Sequence, residues 1–231
     1  MSEMVTTLYL IRHGETNSGG TKRYHGSIDI PLSEKGRQQI EEKTALLQRY
    51  LSAATLSKYL SYLRDVQGSM PDDTEEKNER PLLSAVYCSG LSRAVQSAEI
   101  IAGPFGLKPL PAAGLRERSF GIWEGMTFSE IKERYPKEFA AWADNPLVYA
   151  PVGGETTLAV RHRVIGAIDD ILKTHRGEHI AVAAHGGVNR IILCHILGIP
   201  LQNIFRIEQD YAALNIIEFW EKYPVLKLLN G

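Results

Sequence analysis

The sequence predicts an α/β fold of three layers, an α/β/α sandwich in which a mainly parallel central sheet is covered by helices on both faces. Three observations carry this. Short β-branched and aliphatic runs recur along the chain, amphipathic helical patterns stand between them, and two of the runs close abruptly on a histidine–glycine turn. A run that is apolar at every position has no solvent face, as expected of a strand buried on both sides of a parallel sheet. Alternation of such strands with helices defines the class.

Residues 5–11 form the first run, which stops at Arg12-His13-Gly14. Residues 33–51 follow as a helix with Ile40, Leu47 and Leu51 on one side. Residues 85–88 read as the second strand, residues 91–102 as the helix behind it, and residues 108–111 as a short extended segment. Thr127 and Glu130 stand at the spacing at which a helix start caps itself, and Pro136 ends that pattern. Gly153-Gly154-Glu155-Thr156 opens a long helix over residues 158–173. The third strand is His179–Ala184, closed by His185-Gly186-Gly187, and a last strand covers residues 213–219. Residues 52–81 depart from the alternation, running through Leu56, Tyr59, Leu60 and Leu63 into an acidic polar stretch. They read as one or two extra helices and a mobile loop, forming a lid or a dimer contact. With no internal repeat and no linker, the chain reads as a single domain over 1–231 with an insertion at 52–81.

Composition narrows the function. Lys+Arg 26 against Asp+Glu 27 leaves a net charge of −1 over 231 residues, so no global field exists to hold a nucleic-acid backbone or an anionic membrane. Anions must be recognised locally. Cys88 and Cys194 are too few for a disulfide scaffold and lack metal-ligand spacing. The opening Met1-Ser2-Glu3-Met4 has neither the basic flank nor the hydrophobic segment of a signal peptide, and no run approaches a membrane span, so a cytoplasmic location is expected.

In an open α/β sheet, ligands gather beyond the carboxyl ends of the strands, where helices begin with free N–H groups. Arg12 and His13 fall at the end of the first strand, Arg93 just after the second, and His185 at the end of the third. Glu117 lies in the loop that follows residues 108–111. Two arginines, two histidines and helix N-termini aimed at one spot suit a compact dianion, most simply a phosphoryl group. A neutral imidazole attacks phosphorus in line, the guanidinium groups spread the charge of the equatorial oxygens, and one carboxylic acid protonates the leaving alkoxide and then deprotonates water. Glu117 is that acid. Arginine supplies the positive charge, so no metal and no cofactor is expected. A rival arrangement places a catalytic metal on His13, Glu15 and His185; another makes the chain a non-catalytic phospholigand binder. His25, in the loop after the nucleophile, is a candidate for substrate contact. His162, His175, His179 and His195 read as structural, Trp123, Trp142 and Trp220 as packing residues, and Cys88 as a buried thiol.

The segment Leu10-Ile11-Arg12-His13-Gly14-Glu15-Thr16 resembles the signature of the histidine phosphatase superfamily, with its phosphoglycerate-mutase-like fold. Residues 26–32, Ser89-Gly90-Leu91-Ser92-Arg93-Ala94, residues 115–125, Gly153-Gly154-Glu155-Thr156 and His185-Gly186-Gly187 resemble the family's blocks in order and approximate spacing. The resemblance implies that His13 is the phosphorylated nucleophile and Glu117 the proton donor. It places Arg12, Arg93 and His185 in the phosphate pocket and adds Asn17 and the backbone at Gly186. The short loop of residues 118–125 resembles the phosphatase branch rather than the mutases. Within that branch the chain looks most like bacterial α-ribazole-5′-phosphate phosphatases of cobalamin synthesis. The expected partner is therefore a small phosphomonoester, with phosphoglycerate mutation as the alternative; a homodimer is a candidate assembly, and the sequence does not fix the oligomeric state. The length of 52–81 and the run Ser18-Gly19-Gly20 depart from the family pattern, and both bear on access to the pocket.

Overall fold

The computed structural model describes residues 5–18, 23–52 and 82–231. Strands β1 (Thr6–Arg12), β2 (Leu83–Cys88), β3 (Leu110–Pro111), β4 (His179–Ala184), β5 (Leu214–Phe219) and β6 (Pro224–Leu228) form one sheet in the order β3-β2-β4-β1-β5-β6. The first four strands in that order run parallel, while β5 and β6 are antiparallel additions at one edge. The expected last strand is present as β5, but the chain turns back after it and lays β6 alongside.

Helices α1 (Glu34–Ser52) and α2 (Ser92–Ala102) cover one face. Helices α5 (Thr157–Thr174) and α6 (Gly186–Ile196) cover the other. The two cores interleave through the same strands: Leu8 and Leu10 of β1 point to the α5/α6 side, Tyr9 and Ile11 to the α1/α2 side. Both sets are buried, which explains why β1 reads as a continuous apolar run rather than an alternation. On β4, Ile180 and Val182 face α5 and α6, whereas Ala181 and Ala183 meet Ala94 and Ala98 of α2. Small residues on both sides let that helix lie close to the strand.

Helices α3 (Phe128–Arg134) and α4 (Pro136–Asp144) pack on each other beside the sheet's functional end. Thr127 accepts from the Glu130 N–H at 3.2 Å and Glu130 accepts from the Thr127 N–H at 2.8 Å, the reciprocal cap expected from the spacing. Pro136 does more than end α3: it is the first residue of α4, where its fixed φ suits a helix start and its missing N–H has no intrahelical partner to lose. The helices and loop expected over 52–81 lie outside the described residues, beyond Ser52 at the end of α1. Among the described residues, no helix is long and apolar enough to cross a membrane.

Two glycines fix the approach of α1 to the functional loop. Gly14 and Gly36 pack backbone to backbone, so that a methyl group on Gly14 would overlap the Gly36 carbonyl and one on Gly36 would overlap the Glu15 carbonyl. Gly166, within α5, has open space where its side chain would be. Gly36→Ala should therefore destabilise the fold by about 1–3 kcal/mol, the usual range for overpacking. Gly166→Ala should stabilise it by about 0.5–1 kcal/mol. Urea denaturation of both variants checks the signs, and equal effects would contradict the close approach.

Candidate active site

The sheet order β2-β4-β1 sets three carboxyl ends side by side, and residues remote in sequence meet there. His13 follows β1, and its N–H donates to the Ala184 carbonyl at the end of β4 at 2.9 Å. His185 is the next residue and caps α6. Arg93, in the first turn of α2, is carried in from β2.

His13 is buried, with only 7% of its surface exposed. Its Nδ1 lies 2.7 Å from its neighbour's carbonyl, Gly14 O. A carbonyl only accepts, so Nδ1 carries the proton and Nε2 keeps a free lone pair. Burial, then the Arg12 and Arg93 charges, push its pKa well below the ordinary 6.5, so the ring is neutral. His185 stands edge-on to it, with ring centroids 5.1 Å apart. Its Nδ1 accepts from Arg93 Nε at 3.4 Å and its Nε2 lies 2.7 Å from Ser89 Oγ. The guanidinium can only donate, so Nε2 bears the proton and donates to the hydroxyl. Burial, then His13 and the arginines, depress this imidazole as well.

Each arginine is aimed by backbone carbonyls. Arg93 donates to Ile28 O at 2.8 Å and Gly26 O at 2.7 Å, while Asp29 accepts from the Ser92 N–H and hydroxyl and ties the same loop to the start of α2. That bonding explains the block over residues 26–32. Arg12 donates to Gln209 O at 2.6 Å and lies 4.1 Å from the centroid of the Tyr211 ring. Its Nε is buried without a partner. A side chain at Gly186 would sit 3.3 Å from that nitrogen, so glycine keeps its surroundings open. Glu117 lines the same cavity as Arg12. Its Oε1 accepts from the Arg118 N–H at 2.8 Å and its Oε2 from the Gly187 N–H at 3.2 Å.

Arg12, His13, His25, Arg93, Glu117 and Gly186 thus line one cavity of about 250 Å³. His25 presents two ring nitrogens that are buried and have no partner. Two residues expected in the pocket stand elsewhere. His185 is wholly buried behind His13 and Arg93 rather than on the cavity surface. Asn17 is exposed, donates to Leu32 O at 3.3 Å and does not line the cavity, whereas Thr16 does. Glu15 is turned away to Lys35 and Ser33, which separates it from the two histidines. Among the described residues, no group of three or more His, Cys, Asp or Glu is placed to hold a metal ion.

Sequence reasoning did not find Tyr211, Gln209, Arg118 or Arg190. Arg118 is a clamp: its guanidinium donates to Glu155 O, Thr157 Oγ1 and Tyr149 O. Arg190 joins the cavity wall one turn into α6 while donating to Ile207 O at 2.7 Å. Gln209 is buried in a network with Asn189 and Asn215, and Asn215 was the available signal, a polar residue within an apolar strand. The lining also includes the apolar and aromatic side chains of Tyr24, Phe120, Trp142, Ile191, Ile204 and Phe205. Trp142, read as a packing residue, both packs on Trp123 and lines the cavity. His175 bonds Tyr87 and Glu178, and His179 bonds Tyr9, towards the amino ends of the strands.

The model of the histidine phosphatase superfamily (branch 1) matches residues 8–64 and 76–231, and the chain belongs to that family. It is a phosphatase. It is 28% identical over 223 residues to phosphoserine phosphatase 1 of Hydrogenobacter thermophilus, covering 96% of this chain and 91% of that one. It is 32% identical over 195 residues to the metal-independent phosphoserine phosphatase of Arabidopsis thaliana, covering 83% of this chain and 69% of that one. In fold it superposes on the α-ribazole phosphatase of Shigella flexneri with a TM-score of 0.76 at 23% identity, over 97% and 96% of the two chains.

The two depressed imidazoles make stability depend on pH. In the unfolded chain they titrate near 6.5, so below that pH the unfolded state takes up protons that the folded state refuses. Stability is therefore lost as the pH falls through about 6.5, with a slope approaching about 1.4 kcal/mol per pH unit for each histidine. Urea midpoints between about pH 7.5 and pH 5.5 check this, and a His185→Asn variant should show the shallower slope.

Proposed function

We propose that this phosphatase hydrolyses a small phosphomonoester in two steps through a phosphohistidine at His13, without a metal ion. The observation that carries the reading is the bond from Nδ1–H of His13 to Gly14 O, which leaves the Nε2 lone pair free in the cavity that Arg12, Arg93 and Glu117 also line.

In the first step Nε2 forms a bond to phosphorus as the bond to the leaving oxygen breaks, and the carboxylic acid of Glu117 gives its proton to that oxygen. In the second, Glu117 takes a proton from water, the hydroxide forms the new P–O bond, and the N–P bond breaks to return the neutral imidazole. Arg93 and the partner-free Nε of Arg12 offer donors to the equatorial oxygens, where preorganised positive charge contributes most. These guanidinium groups take the part a metal plays in other phosphatases, in keeping with the metal-independent relative. His185 supports the site by holding Arg93, and its Nε2–H would reach a phosphate oxygen only by leaving Ser89.

For the remainder of the substrate, the apolar wall and the unpartnered nitrogens of His25 favour a flat, nucleoside-like group with polar atoms at its edge, and α-ribazole 5′-phosphate has that chemistry. Phosphoserine is the second reading, favoured by the name of a relative aligned over 96% of the chain. Specificity constants for both, measured beside 3-phosphoglycerate in the presence of chelator, decide between them.

His13→Ala should remove turnover and the acid-labile phosphoenzyme seen on rapid quenching; a variant retaining near-normal turnover would falsify the assignment. Glu117→Gln should slow substrates with poor leaving groups by about 10²–10⁴-fold and good ones far less. Arg93→Lys, which keeps the charge but loses the fork, should cost about 10²–10³-fold in kcat.

A further inference from the structure

The block Gly153-Gly154-Glu155-Thr156 has no place in the chemistry above, and none of its residues lines the cavity. It runs instead against the loop that carries Glu117. Gly121, at φ +50°, lies against this segment so tightly that a methyl group there would overlap Val152 O and sit 2.6 Å from Gly154 N. The Glu155 N–H donates to Ser119 O at 2.9 Å, and the Ser119 N–H donates back to Glu155 Oε2 at 3.0 Å. Arg163, two turns into α5, grips the same carboxylate as a fork, Nε on Oε1 and Nη2 on Oε2, each at 2.8 Å. The rest of its guanidinium is spent on the acid loop: Nη1 donates to Gly114 O at 2.9 Å and Arg116 O at 2.6 Å, and Nη2 donates to Glu117 O at 3.2 Å.

Four backbone points around Glu117, at residues 114, 116, 117 and 119, are thereby tied to one ion pair. We infer that Glu155 and Arg163 are positioning residues for Glu117, bracing its loop so that the carboxyl group meets the leaving oxygen. This inference rests on the reading of Glu117 as the acid. The pair is partly exposed, with 25% of the Arg163 and 31% of the Glu155 side chain accessible, so its direct contribution to stability is small. Its geometry is what matters: the fork is planar and bidentate, and Arg163 donates to three carbonyls that lysine could not satisfy together. A carboxylic acid is useful only within hydrogen-bond reach of the oxygen it protonates, and a displacement of about 1 Å can cost about 10²-fold.

The test uses kcat/KM of Arg163→Met and Glu155→Gln on a series of aryl and alkyl phosphates of rising leaving-group pKa. Both variants should lose about 10- to 10²-fold on alkyl phosphates and stay close to the wild type on p-nitrophenyl phosphate, which needs no proton. Inhibition by inorganic phosphate should be unchanged. In a double-mutant cycle, adding Arg163→Met to Glu117→Gln should cost little more than Glu117→Gln alone. Additive losses, or a loss equal for all leaving groups that follows the thermal midpoint, would overturn the inference while leaving the acid assignment intact. If Glu117→Gln itself shows no leaving-group dependence, the acid assignment fails, and non-additivity in the cycle still decides whether the pair acts through Glu117. A Glu117→Gln variant with full activity overturns both. Should Arg163→Met not fold, Arg163→Lys retains the charge without the fork and is expected to show the same leaving-group pattern.

Discussion

The site depends on keeping an imidazole neutral and one of its nitrogens bare in a region crowded with positive charge. The Gly14 carbonyl settles which nitrogen of His13 is bare, and burial beside Arg12 and Arg93 settles its charge. Each condition requires the other. A solvated histidine would titrate near neutrality and rotate between tautomers, and a buried one without the carbonyl bond would be free to present either nitrogen. Burying guanidinium groups is costly unless their donors are matched. Here the loops supply carbonyls for them: Gly26 and Ile28 for Arg93, Gln209 for Arg12. What is left over is an excess of positive charge that includes a buried donor without a partner, Arg12 Nε, so the free protein is poised for an anion. An anion that binds only the folded form will stabilise it by an amount that grows with the logarithm of its concentration over Kd.

Backbone carbonyls and N–H groups do much of the aiming, so the residues that matter around them are those that let the main chain take its place, glycine above all where backbone approach is closest. Gly14 and Gly36 let α1 press on the loop after His13, Gly186 leaves room beside Arg12, and a side chain at Gly187 would meet Glu117 Oε1 at 2.7 Å. The same holds for Gln209, whose buried amide exchanges hydrogen bonds with Asn215 and so fixes the main-chain carbonyl that Arg12 uses. Tyr211, two residues on, closes over the Arg12 guanidinium and stands 5.7 Å from His13.

This division explains what could be read from the sequence. Strand runs that end on charged residues point to the carboxyl edge of a parallel sheet, and Arg12, His13, Arg93 and Glu117 were legible because their chemistry resides in their own side chains at such ends. Gln209 and Arg163 were not, since they act through backbone atoms of segments far away in sequence, contacts that no local spacing encodes. Pro136 was legible as a break but not as a beginning, since one fixed φ serves both the end of α3 and the start of α4. Strand β6 escaped because Pro224–Leu228 is only half buried at the sheet edge and lacks the fully apolar pattern of the interior strands. His185 was recognised from its strand end, but the layer it occupies, behind His13 rather than beside it, follows from the register that sets Arg12 opposite Ala184.

The two ends of the cavity answer to different physics. At the phosphate end, charge and fixed hydrogen-bond geometry leave little latitude, since every guanidinium there is already held by the fold. At the other end the lining includes Tyr24, Phe120, Trp142 and Phe205, brought from four separate segments, with the Tyr24 and Phe120 rings tilted against each other at 4.8 Å between centroids. Dispersion and burial reward any flat apolar group of suitable size, so discrimination must come from the few polar groups set among those rings. The bare nitrogens of His25 are the clearest of these, one residue before the Gly26 carbonyl that aims Arg93. In the proposed reaction, a group bound at His25 would bear on the same short loop whose Gly26 carbonyl holds Arg93, so contacts to the leaving group and the placement of positive charge would share one segment.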